Sequence, residues 1–145
     1  MTGTREATAD DAAFLADVFL RSMRPHITAA RGFWNEEKER GQFREQLQLN
    51  QTQIIQHNGE SVGFLMMLKC GQDIELHTLC IAPEHQGHGL GTQITHRILD
   101  DARARKCGVV LSVLKANTAA GSLYERLGFV VTEETAHHYR MRLVP

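Results

Sequence analysis

The chain contains no apolar run that could cross a bilayer. The longest, Val62 to Leu68, falls far short of the ~20 residues a spanning helix needs. The N-terminus lacks the apolar core of a secretory signal and carries acids early, at Glu6, Asp10 and Asp11. Cysteine is scarce. Cys70, Cys80 and Cys107 are odd in number and form no C-x-x-C pair, which argues against a disulfide framework and for a reducing compartment. These absences together predict a cytoplasmic protein. An excess of charge is missing too. The formal net charge is -1 with Lys and Arg scattered, so neither nucleic acid nor an anionic membrane is expected as a partner. No repeat, low-complexity tract or linker interrupts the chain, and its 145 residues suit one domain with a real core. Hydrophobic content of 42% with 23% charged residues is that of an ordinary globular protein.

What is present reads as alternating strands and helices. Arg5 to Thr8 is a plausible first strand. Asp10 or Asp11 can cap a helix running to about Met23, with Phe14, Leu15, Val18 and Phe19 at helical spacing. Pro25 is expected to stop it, leaving His26 to Trp34 as a loop. Asn35 can cap a second helix from Glu36 to about Leu49. Two strands, Thr52 to Gln56 and Ser61 to Leu68, flank the hairpin dipeptide Asn58-Gly59. A third follows from Ile74 to Ala82 and ends at Pro83. Leu90, Ile94, Ile98 and Ala102 form one stripe of a long helix that Gly108 can terminate. Val109 to Leu114 is a nearly all-apolar strand, as expected with both faces covered. Asn117 or Thr118 caps a last helix to Leu127, stopped by Gly128. Val130 to Thr135 and His138 to Leu143 close the chain as a strand pair. The order β-α-α-β-β-β-α-β-α-β-β predicts a mixed α/β sheet with helices on both faces.

The stretch Gln86 to Gly91, Q-G-H-G-L-G, ends a strand and opens a helix. The first N–H groups of a helix lack intrahelical partners and sit at the positive end of its dipole. Glycines let a phosphate approach that backbone closely. No acid follows in this helix until Asp100, so its positive end is uncompensated. A Walker loop is excluded, because Gly91-Thr92 carries no lysine. A dinucleotide fingerprint is excluded by the early third glycine and by the absence of an acid in Leu111-Ser112-Val113. The readings left are an anion cradle and a tight turn with no ligand.

Q-x-x-G-x-G opening a helix resembles the acyl-CoA signature of the GNAT superfamily of N-acetyltransferases. The strand E-L-H-T-L-C-I-A-P before it resembles that family's fourth strand, and N-T-A-A-G-S-L-Y-E-R-L-G-F, Asn117 to Phe129, resembles its next motif. The element order agrees over nearly the whole chain, although Met23 to Leu49 agrees only in general pattern. The resemblance implies the acyl-CoA N-acyltransferase fold, a mostly antiparallel sheet of about seven strands between helices. It implies acetyl-CoA as acyl donor, with no metal, and an amine-bearing acceptor. Backbone groups of Leu79, Cys80 and Ile81 would pair with the pantetheine arm. Gln86, Gly87, His88, Gly89, Leu90 and Gly91, with Thr92, would hold the pyrophosphate. Asn117 would contact the cofactor arm, and Tyr124 would sit near its sulfur. Members commonly dimerise, which leaves a homodimer open.

Acyl transfer to an amine needs a base, an oxyanion donor and a way to stabilise the leaving thiolate. A backbone N–H of Leu79 or Cys80 would serve the oxyanion. Tyr124 could protonate the sulfur, a phenol (pKa ~10) lying near a thiol (pKa ~8.5); as a plain core aromatic it would share a stripe with Ala120, Leu123 and Leu127. Glu75 is the foremost base candidate. It lies eleven residues before Gln86, where a general-base Glu falls in some histone-acetylating relatives, and its alternative is a surface ion pair. Alternation predicts Glu75, His77, Leu79 and Ile81 on one face, which makes His77 a second candidate. His85 and His88 flank the loop. His137-His138 does not make a metal pair, since strand neighbours point to opposite faces. Cys80 reads as a buried small residue, not a nucleophile. Phe33 and Trp34 either line an acceptor pocket or pack the core. Alternative functions are a longer acyl donor, a hydroxyl acceptor, or a CoA-binding module without transferase activity. The resemblance implies an acceptor pocket built from variable segments, here His26 to Trp34, the second helix and the closing strand pair, and no charge cluster there declares the acceptor.

Overall fold

The computed structural model describes Met1–Pro145. Seven strands form one sheet: β1 (Thr2–Glu6), β2 (Thr52–His57), β3 (Glu60–Cys70), β4 (Asp73–Ile81), β5 (Val109–Leu114), β6 (Val130–Glu134) and β7 (His138–Leu143). Their spatial order is β1-β2-β3-β4-β5-β7-β6. Every pairing is antiparallel except β4 with β5. Helices α1 (Ala12–Arg31) and α2 (Glu36–Gln46) cover one face; α3 (Leu90–Ala104) and α4 (Thr118–Leu127) cover the other. No helix is long and apolar enough to cross a membrane.

Local chemistry accounts for most element ends. Asn58 (φ 52) and Gly59 (φ 83) are both left-handed, as a type I′ hairpin requires. Asn35 caps α2 by accepting from the Lys38 N–H at 3.1 Å, and Asn117 caps α4 by accepting from Ala120 at 3.3 Å. Gly128 (φ 104) ends α4; its N–H bonds the Glu125 carbonyl and the Phe129 N–H bonds that of Tyr124, the paired bonds of a Schellman motif. This return places Phe129 edge-on against Tyr124, with ring centroids 5.5 Å apart.

Four boundaries differ from expectation. β1 lies at Thr2–Glu6, ahead of the predicted stretch. α2 ends at Gln46 and a short 3-10 turn, Leu49–Gln51, leads into β2. The left-handed residue after α3 is Lys106 (φ 57), not Gly108. Gly108 instead donates its N–H to Asp73 at 3.0 Å, where an added Cβ would press on both Asp73 and Arg142. Most consequential, α1 runs through Pro25 to Arg31 and ends at Gly32 (φ 81). A proline inside a helix costs roughly 3 kcal/mol. Burial of Ile27 on the following turn offsets part of this, so residues 26–31 are helix rather than loop.

Two clusters fill the faces of the sheet. Leu76, Leu90, Ile94, Ile98, Leu111 and Tyr124 belong to one, under α3 and α4. Leu15, Val18, Phe43, Ile54, Phe64 and Cys80 belong to the other, under α1 and α2. Gly63 brings β3 against β4: a Cβ there would lie 2.2 Å from the Cys80 carbonyl oxygen. Because the clash is with backbone, relief requires the strands to part. Gly63→Ala is therefore expected to destabilise the fold by at least about 2 kcal/mol, read as a lowered midpoint in urea unfolding. An unchanged midpoint would show that this strand contact is slack.

Candidate active site

The site forms where β4 leaves β5. The two strands pair only at Ile74–Val109, Glu75–Val110 and Leu76–Leu111. Beyond Leu76 they splay. At the same place the β3–β4 register slips, Met66 facing Thr78 but Met67 facing Leu76. His77 is thus an extra, unpaired residue, a β-bulge. The bulge overturns the expected single face. Leu76, Leu79 and Ile81 all pack toward α3 and α4, so Glu75, one residue before Leu76, lies on the opposite side from Leu79 and Ile81.

The splay leaves one edge of β4 without a strand partner. The Ala82 N–H bonds the Val62 carbonyl at 2.8 Å, and alternation then turns the polar groups of Cys80 toward β3 and those of Leu79 and Ile81 into the gap. The Ile81 carbonyl is satisfied there by Ser22 Oγ at 3.2 Å and by Gln86 Nε2 at 2.8 Å. Gln86 therefore ties the glycine turn to the strand. The N–H and C=O of Leu79 and the N–H of Ile81 remain for a ligand running along the gap.

Beyond Ile81 the chain makes a 3-10 turn, Pro83–His85, and then the glycine turn. Glu84 in that turn is held to Arg21 of α1 at 2.7 Å. Gly87 (φ 82) and Gly89 (φ 77) are both left-handed, and no atom lies within 4 Å of a Cβ added at either. Gly89 is the N-cap of α3 and supplies no side-chain cap. Gln93 is the first residue to bond back, to the Gly89 carbonyl at 3.0 Å. The N–H groups of Leu90, Gly91 and Thr92 are thus unpaired at the positive end of α3, with no acid in its first turn. This backbone fits a diphosphate.

Two cavities open from the splay. One, of about 490 Å³, runs past Leu79, Cys80 and Ile81 to Gln86, Gly87 and the start of α3, with Asn117, Leu123 and Arg126 on its far wall. The other, of about 450 Å³, lies under α1 and α2 and is lined by Glu75, His77, Thr78, Ser112, His138 and the inner faces of those helices. Both are lined by Met23, Leu79, Cys80, Asn117, Ala120 and Tyr124. His88 lies outside both linings, and neither Phe33 nor Trp34 reaches them. Phe33 is 56% exposed, and Trp34 stacks under the Arg24 guanidinium.

Burial pushes the Tyr124 phenol up to about 12, with Cys80 adding a smaller push. The sequence alone suggested a closer match to a thiol. The phenol lies far above a free thiol at ~8.5, so full transfer of its proton to a thiolate is uphill and the hydroxyl stays protonated. Burial likewise pushes the Cys80 thiol up to about 12, which keeps it protonated and unreactive. The Glu75 carboxylate accepts from Arg140 at 3.3 Å, and His77 Nδ1 is hydrogen-bonded to Thr78 Oγ1 at 2.9 Å. No three His, Cys, Asp or Glu side chains cluster so as to hold a metal ion. Arg31, Glu39 and His138 fall in the three stretches expected to build the acceptor pocket, though none was singled out there, and Met23 lies outside those stretches. The four-residue spacing Met23, Ile27, Arg31 would have marked one helical face had Pro25 not been read as a stop.

A splayed parallel pair beside a glycine-lined helix start defines an α/β protein with an elongated groove running from the strand gap to the start of α3. The profile of the Acetyltransferase (GNAT) family matches residues 20–129, and the chain belongs to that family. It is 39% identical over 61 residues to the L-amino acid N-acyltransferase MnaT of Escherichia coli, covering 40% of this chain and 34% of that protein. It is 34% identical over 88 residues to the N-alpha-acetyltransferase RimI of Mycobacterium tuberculosis, covering 57% and 54%. The chain thus spans from about a third to about half of the length of these relatives. In fold it is similar to the PaiA N-acetyltransferase of Thermoplasma acidophilum, solved with coenzyme A, at TM-score 0.82 and 19% identity over 100% of this chain and 99% of that one. The ribosomal-protein-S18-alanine N-acetyltransferase of Escherichia coli superposes at 0.72 with 20% identity, over 99% and 93%.

Proposed function

We propose that this chain transfers the acetyl group of acetyl-CoA directly to a primary amine while both are bound. The observation that carries the reading is the meeting of the two cavities at Tyr124 and Leu79. One leads to the unpaired N–H groups of the glycine turn, the other to a separate pocket under α1 and α2. Bound acetyl-CoA supplies the acetyl group as an activated thioester. The main chain from Gly87 to Thr92 holds the diphosphate, and the free groups of Leu79 and Ile81 align the pantetheine arm. Exposed Arg126 on the groove wall adds a cation for phosphate. Asn117, its carbonyl oxygen spent on the α4 cap, has its amide N–H groups left for the arm.

At the junction, Leu79 N–H donates to the carbonyl oxygen as it gains charge. Glu75 takes the proton from the attacking amine, directly or through water. Arg140 holds that carboxylate at the rim of the acceptor cavity, and His77 is the second candidate. Tyr124 donates its O–H to the departing sulfur. The test is thiol release from acetyl-CoA across a broad panel of amines. Release that depends on an amine is expected. Calorimetric binding of acetyl-CoA without turnover on any amine would leave a binding module and remove the enzyme.

A further inference from the structure

The acceptor cavity has a charged far end that no local motif announced. Arg31, from the last turn of α1, lines it together with Glu39 of α2 and His138 of β7. Glu39 is the one acid of the chain that is buried, at 7% exposure. It accepts from Arg31 Nη1 at 3.1 Å. The two partners are unequally accessible: the side chain of Arg31 is 41% exposed and that of Glu39 8%. Glu39 is therefore the hidden support, and the guanidinium is the group a ligand can touch. Only one of its five N–H donors is used, and the rest of a planar fork suits a carboxylate. Gln42 of α2, three residues from Glu39, lines the same cavity and adds an amide donor.

The span is set by α1. Met23 stands at the junction of the two cavities, and Met23, Ile27 and Arg31 follow one face of the helix. Eight residues of helix rise about 12 Å. The arginine side chain leans back toward the helix N-terminus, which shortens the distance to the guanidinium to on the order of 6–10 Å.

Resting on the transferase reading above, we infer that the acceptor is an amine carrying a distal carboxylate, received by Arg31, which Glu39 holds in place. An α-amino acid, with both groups on one carbon, is too short to reach from the junction to Arg31. A linear ω-amino carboxylate or a short peptide-like acid has the length.

The test compares four acceptors on one preparation: aminocaproate, hexylamine, hexamethylenediamine and glycine. Aminocaproate is expected to exceed each of the others in kcat/KM by about tenfold or more, the gain lying in KM. Arg31→Gln alone would strand a buried carboxylate, so the variant is the double substitution Arg31→Gln with Glu39→Gln. It should bring the ratio of aminocaproate to hexylamine close to one, a comparison internal to each preparation. A wild-type preference for hexylamine, for glycine or for the diamine overturns the inference and leaves acetyl transfer standing. The same holds if all four fail while other amines are acetylated. Persistence of the preference in the double variant removes Arg31 from recognition. Binding of acetyl-CoA with no amine acetylated at all would sink the transferase reading, and this inference with it.

Discussion

Gly89→Trp is expected to abolish acetyl-CoA binding, with calorimetric affinity falling by 100-fold or more, about 2.7 kcal/mol. Two effects combine. Gly89 has φ 77, a conformation that costs an L residue roughly 1 kcal/mol. The indole would also occupy the space in front of the Leu90, Gly91 and Thr92 N–H groups. No protein atom lies within 4 Å of a Cβ at this position, so the fold should survive and the loss should be confined to the ligand. Gly89→Ala separates the contributions. It carries the backbone strain without the bulk and should lose far less. Undiminished affinity in the tryptophan variant would show that the diphosphate lies elsewhere.

Tyr124→Phe is expected to slow single-turnover acetyl transfer by about 100-fold or more, while acetyl-CoA affinity changes little. The substitution keeps the ring that packs on Phe129 and removes only the donor. With the phenol pushed up to about 12, the hydroxyl stays protonated through the whole working range. The rate–pH profile of the wild type should therefore show no alkaline fall attributable to this group below about pH 10. Any ascending acid limb would belong to the base or to the amine. An unchanged single-turnover rate in Tyr124→Phe would take Tyr124 out of the chemistry and return it to the core cluster it also serves.

The parts legible in the sequence are those whose chemistry is local. The glycine turn from Gln86 to Gly91 and the acid-free helix start after it were readable because they occupy consecutive positions. Asn35, Asn117, Asn58-Gly59 and Gly128 were equally readable, since a cap or turn is decided within a few residues. The stop at Gly128 was readable for the same reason, and it is this left-handed residue that returns Phe129 onto Tyr124. The failures share the opposite character. Pro25 signals a helix end by its own chemistry, and the burial of Ile27 that offsets part of its cost is decided by the rest of the molecule. The period-two face from Glu75 to Ile81 holds only for an unbroken strand. The slip opposite Met66 and Met67 depends on β3, which no reading of β4 contains. Tyr124 carries its ordinary acidity in the sequence, and only the packing around it moves that value upward. Arg31 and Glu39 are eight positions apart on different helices, and His138, which lines the same cavity, is near the far end of the chain.

The sequence by itself determined the order of elements, the family resemblance and the glycine turn that opens α3 with no acid in its first turn, because each follows from neighbouring residues and their dihedral preferences. Only the tertiary structure decided where β4 parts from β5, which peptide groups that parting frees, and which charges from α1, α2 and β7 share one cavity. Those depend on strand registers and helix packing between distant segments, and such contacts exist only once the chain has folded.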